Sequence, residues 1–178
     1  KNLPYLIHNF EVHQIPTALH IAEWKDRRRG IKQYAGFAPE YNSAQLALLG
    51  KDFVNPYGTR SRSLGELVEN KKEVMEVAKI IGGEVFVSEN ATEAAYKELA
   101  GTLDILHLAM HAVIDMENPL SSKLIFSQEY DEEDEDNLLN LYEIYGQNTP
   151  SDLVVLSACN TGYGQLIKGD GVMSLSRA

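Results

Sequence analysis

The sequence predicts an α/β fold built around a mainly parallel sheet, and three observations carry that prediction. Residues 104–110 (DILHLAM) and 152–158 (DLVVLSA) are apolar runs without polar alternation, which is the pattern of strands covered on both faces. Segments of helical period separate such runs along the chain, as crossover connections require. Two of the strands end at reactive residues, His111 and Cys159, and open α/β sheets collect ligands at the carboxyl ends of their strands.

The elements follow in order. Residues 3–15 (LPYLIHNFEVHQI) read as two short strands, and Pro16-Thr17 precedes a helix (ALHIAEWKDRRR) whose basic end suits the negative partial charge of a helix C-terminus. Residues 34–39 (YAGFAP) predict a short buried strand stopped by proline. Residues 40–63, with scattered Asn, Gly, Ser and Pro, read as loop. From Leu64 a helical period sets in: Leu67, Val74, Val77, Ala78 and Ile81 share one face, and Gly82-Gly83 stops it. Residues 84–88 (EVFVS) are a strand, and Asn90-Ala-Thr-Glu93 resembles a capping box opening a helix to about Ala100. After the strand at 104–110 comes another at 123–127 (KLIFS), a solvated acidic loop at 131–136 (DEEDED), and a short helix over 138–145. The strand at 152–158 is the most convincingly buried one, and Gly169-Asp170-Gly171 opens a last helix. With no repeat and no long linker, residues 1–178 read as a single domain.

Composition narrows the function. A chain of 178 residues with 44% hydrophobic and 24% charged residues can bury a real core. A formal net charge of -10 argues against direct nucleic-acid binding, because a phosphate backbone rewards a basic face. The single cysteine excludes an internal disulfide framework and fits a reducing, cytoplasmic setting. No stretch approaches the roughly 18 apolar residues of a membrane span.

Cys159 sits where a buried strand breaks into a glycine-containing loop (Cys-Asn-Thr-Gly), and a thiol becomes a competent nucleophile once a neighbour takes its proton. His111 can do so and then protonate the leaving amine. The plainer reading of a lone cysteine at a strand end is a small core residue. His107 and His111 are four apart, but no HExxH arrangement accompanies them and the segment reads as strand, so a zinc site is not expected and His107 reads as a structural histidine beneath the site. The loop Gly162-Tyr-Gly164 matches neither phosphate-binding glycine pattern, and the acidic run lacks the spacing of a calcium loop. No metal or cofactor is expected.

Residues 152–164 (DLVVLSACNTGYG) resemble the cysteine motif of the CHAT family, and residues 104–127 (DILHLAMHAVIDMENPLSSKLIFS) its histidine motif. Further similarity lies in YAGFAPEY, ATEAAYKELAGTLDILHLAMH, LLNLYEIYG and GDGVMSLSRA. The resemblance implies a caspase-like three-layer α/β sandwich, with tetratricopeptide repeats in the same chain or a partner. It also implies a cysteine endopeptidase acting on a protein or peptide substrate, with His111 as general base and acid and Cys159 as nucleophile. The backbone N–H groups of Ala112 and Cys159 would form the oxyanion hole, with Ala112 standing where the family usually has glycine; alanine at a positive φ there would be strained. Ser157, two residues before the nucleophile, would border the substrate pocket as a small neutral residue, and Asp170 is a second candidate for that pocket or a helix cap. In similar proteins the helix near Gly171 is complete and further strands follow, so the C-terminal part of the domain is expected to be missing. An alternative reading is a catalytically inactive, peptidase-like interaction module.

Overall fold

A computed structural model describes residues 33–49, 64, 66–115, 117–128, 135–157, 165–167, 171–173 and 175, all within a compact unit spanning Lys32–Ala178. The strands and helix expected over residues 3–29 lie outside the described residues. No described helix is long and apolar enough to cross a membrane.

The first strand, β1 (Tyr34–Ala38), is buried along its whole length, and Pro39 follows it as expected. It pairs in parallel with β2 (Glu84–Val87) on one side and β3 (Ile105–Leu108) on the other, and β3 pairs in parallel with β7 (Leu153–Leu156). The resulting order β2-β1-β3-β7 is the mainly parallel sheet that the unbroken apolar runs predict.

Alternation along β1 assigns the two faces. Phe37 points to one side, where its ring stacks on Phe86 at 4.7 Å and meets Tyr96 and Phe126 edge-on at 6.1 Å. Tyr96 comes from α3 (Glu93–Ala100), so that helix covers this face, and Leu106, Leu108, Met110 and Leu124 complete the main core. Ala38 points to the other side and packs with Ala109 against Val74 of α2 (Asn70–Ile81). Helix, sheet and helix form the three layers of a caspase-like sandwich. Gly36 sits on the α2 face, and a Cβ there would lie 2.7 Å from Val74 Cβ, so the bare backbone is what lets the helix approach.

A second, antiparallel sheet branches off after β3. Its strands are β4 (His111–Val113), β5 (Lys123–Ile125) and β6 (Leu138–Asn140), in that order. It shares the main core through Ala112, Leu124 and Leu139, and builds a smaller cluster from Tyr41, Leu46, Val113 and Ile125.

Several expectations need correction. Residues 40–63 are not all loop: α1 (Ser43–Leu49) lies among them, opened by Asn42, whose side chain accepts the Gln45 N–H while Gln45 accepts the Asn42 N–H. The next helix begins at Asn70 rather than Leu64, and Ile81 on its expected buried face is exposed; Asn70 and Val74 are the residues it buries. Its C-terminal stop stands as expected, with Gly82 and Gly83 at φ 79° and 110°. The cap of α3 is Thr92, whose hydroxyl accepts the Ala95 N–H at 3.2 Å, not Asn90. The helix expected over 138–145 is β6 followed by α4 (Leu141–Gly146), because Glu143 turns back to accept the Asn140 N–H and starts the helix there. β7 is exposed rather than buried at Leu153 and Val154, since only β3 flanks it among the described residues. The last helix expected from Gly171 is instead a strand, β9 (Gly171–Met173), because these residues pair antiparallel with β8 (Gln165–Ile167).

Candidate functional site

His111 is placed by a break in the chain. The β3 ladder ends at Leu108, with Ala109 donating one more bond to the Phe37 carbonyl at 2.9 Å, and the chain then enters the second sheet at His111. His111 is buried, and its ring lies 5.0 Å from that of Tyr41. The Tyr41 hydroxyl accepts the His111 backbone N–H at 3.2 Å and donates to the Ile125 carbonyl at 2.5 Å, bridging the register pair His111↔Ile125. Burial pushes the Tyr41 phenol well above its ordinary range, with the His111 N–H opposing, so it stays a neutral donor.

Ala112 follows in β4, paired with Leu124. The only described non-glycine residues with positive φ are Ser88 and Asn137, so Ala112 is extended and the strain expected of an alanine there does not arise.

The strand leading to Cys159 runs beside the strand leading to His111. β7 and β3 are neighbours in register Leu108↔Leu156, and the Ser157 N–H donates to the Leu108 carbonyl at 3.0 Å. Cys159 and Asp170 lie outside the described residues, and the helix that Asp170 was expected to cap is replaced by β9.

Ser157 turns its hydroxyl to the α2 side of the sheet. It donates to Glu73 Oε1 at 2.5 Å, a short charge-assisted bond. The buried His107 ring joins them, with Nε2 3.1 Å from the same Glu73 oxygen and 3.3 Å from Ser157 Oγ, and Nδ1 3.2 Å from the Tyr34 hydroxyl. The His107 ring is thus held by partners at both nitrogens, as a structural histidine should be. Burial, reinforced by the Glu73 charge, pushes the Tyr34 phenol up to about 12.

A second polar cluster sits on the α3 side. Lys97 Nζ lies 2.7 Å from Glu93, 2.5 Å from Glu135 and 3.0 Å from Glu143. These three carboxylates are close enough to hold a metal ion, but the Lys97 ammonium already stands among them. Glu93 is fully buried, and burial raises its pKa against the pull of Lys97. Burial opposes the charge on Lys97, but its bonds to the three carboxylates outweigh that and push it up. Glu135 belongs to the acidic run, so the tail of that run packs against a lysine rather than standing wholly in solvent.

Sequence reasoning missed Tyr41 and Glu73. For Glu73 a signal existed: with Asn70, Val74 and Val77 it occupies i, i+3, i+4 and i+7 positions, a carboxylate on the buried stripe. For Tyr41 the sign was an aromatic residue with a polar tip just past the proline that ends β1.

A family model described as CHAT domain matches residues 1–178, the whole chain. No curated protein and no solved structure matches it.

Proposed function

Since the chain belongs to the CHAT domain family, whose domains are caspase-like and peptidase-related, we propose that it is a cysteine endopeptidase working through His111 and Cys159 on a protein or peptide substrate. The observation that carries this reading is the parallel pairing of β3 with β7: the two strands end at the same end of the sheet, and His111 follows one in sequence as Cys159 follows the other. Each residue follows the last paired residue of its strand, Leu108 or Leu156, by three positions.

In this mechanism His111 takes the Cys159 proton and the thiolate attacks the scissile carbonyl carbon. The resulting oxyanion is held by the Ala112 and Cys159 N–H groups. The His111 N–H goes to Tyr41 and through it to β5, and alternation along an antiparallel ladder turns the next N–H, that of Ala112, to the outer edge of β4. Collapse of the intermediate breaks the C–N bond as His111 returns the proton to the leaving amine, and water then hydrolyses the thioester. The Tyr41 bridge supports the reading by fixing the backbone of the proposed base. A reducing, cytoplasmic setting would keep the thiol free, and tetratricopeptide repeats of the same chain or a partner would present the substrate.

The experiment is covalent labelling with a thiol-reactive peptide. Cys159 should be modified at neutral pH, and His111→Ala should abolish labelling under conditions where the variant still unfolds cooperatively. A folded protein whose Cys159 reacts no faster than it does in His111→Ala would return the alternative of an inactive interaction module.

A further inference from the structure

On the α3 face of the parallel sheet a cavity of about 450 Å³ opens beside β7. Register explains its floor. Leu106 pairs with Val154 and Leu108 with Leu156, so two rungs of aliphatic side chains from β3 and β7 point to the same side. Tyr96 of α3 contributes to the wall, as do Ile144 of α4 and Gln147 and Thr149 just past that helix. Leu106 and Leu108 are buried whereas Val154 is 44% exposed, so the cavity opens at the β7 edge.

Two features say what the cavity takes. No Lys, Arg, His, Asp or Glu lines it among the described residues, so nothing there matches a charge. Yet Gln147 Oε1 is buried and has no hydrogen-bond partner among those residues. A buried acceptor without a donor is costly, and a guest that brings the donor recovers the bond. The size admits such a guest: an aliphatic cavity of about 150 Å³ takes up benzene, and ligand pockets run from about 300 to 1,000 Å³. We propose that this cavity binds a neutral amphiphile, an aliphatic chain whose terminal hydroxyl or amide donates to Gln147 Oε1. The chain lies on the β3 and β7 rungs and its head meets Gln147, while the hydroxyls of Tyr96 and Thr149 add polar surface to the same lining. The assignment is independent of the dyad reading, because none of the described lining residues belongs to the proposed catalytic set.

The test uses the protein at its natural length, so that any further polypeptide is free to compete for the cavity. Titration calorimetry compares n-octanol with its isomer heptyl methyl ether, which lacks the donor, and with octanoate, which is charged at neutral pH. Octanol should bind with an affinity that salt does not change, and octanoate should bind at least about tenfold more weakly. Gln147→Met, close in shape, should still bind the ether and should lower the alcohol-to-ether affinity ratio about three- to tenfold, the worth of one hydrogen bond. Val154→Trp, which sets a large ring at the opening, should weaken both guests, and Val154→Phe replaces it where the tryptophan variant does not fold. A ratio that Gln147→Met leaves unchanged, or octanoate binding as tightly as octanol, overturns the assigned head group. Binding that neither Val154 variant weakens places the guest elsewhere and overturns the site. Absence of octanol binding in the parent shows the cavity to be filled by polypeptide and overturns the proposal as a whole.

Discussion

The hydroxyl of Tyr41 stands between the backbone of His111 and that of Ile125, accepting from one and donating to the other. A side chain from the loop after β1 thus completes a rung of the second sheet, and the proposed base is anchored to the parallel sheet through it. Tyr41→Phe keeps the ring and removes both bonds, leaving a buried N–H and a buried carbonyl to find other partners. The mutant should lose about 1–3 kcal/mol of stability by urea unfolding, and labelling of Cys159 should slow beyond what that loss explains.

Lys97→Met should cost about 3 kcal/mol near neutral pH, because the buried Glu93 would then have to ionise without a counter-charge or bind a proton from solution. The pH dependence has a definite sign. Lys97 is raised in the fold, so its contribution is full below about pH 10.4 and lost as pH rises through the folded value. Glu143, although burial raises it, is lowered on balance by bonds from Asn140 and Lys97, so its contribution is present above about pH 4.3 and lost as pH falls through the folded value. Glu93 is raised and works the other way, costing stability as it ionises. The defect in Lys97→Met should therefore shrink as the medium is acidified and Glu93 takes up its proton, which unfolding midpoints across a pH series will read.

Phe37 is fully buried among Phe86, Tyr96 and Phe126. Phe37→Ala should lose about 3–5 kcal/mol, since the surrounding rings come from separate elements and cannot all close on the cavity. Denaturant unfolding with an unchanged slope would confirm that the loss is in packing.

Thr92 and Asn90 give a contrast. Thr92→Ala removes the bond to the Ala95 N–H and should cost about 1 kcal/mol. Asn90→Ala, two residues earlier and exposed, should cost much less. Paired thermal melts will check the difference.

The parallel sheet was readable in the chain because its strands are continuous apolar runs, and both the proline after Ala38 and the glycine pair after Ile81 mark real ends. What escaped is what depends on partners distant in sequence. α1 hides in a stretch rich in loop-forming residues, and its opening turn is held by a local exchange between Asn42 and Gln45 that composition does not reveal. β6 stands where the sequence predicts helix, because Leu138 to Asn140 carry no period of their own and pairing with β5 decides their conformation. The same holds for Gly171–Met173, which pair with Gln165–Ile167. At the site, residue types at strand ends pointed to His111, while the hydrogen bonds of Ser157 could not be read from its own neighbourhood, since Glu73 is 84 positions away.

Gly36 has a consequence that reaches beyond packing. With only hydrogen on its Cα, the height of α2 above the sheet is set by direct contact with Val74, and Glu73, the next residue along the helix, is carried at that height. A methyl group at position 36 would act as a shim under the helix, lifting it by an amount comparable to the difference between a formed and a broken hydrogen bond at Ser157. A tight mechanical tolerance therefore lies under the helix, at a residue that has no side chain.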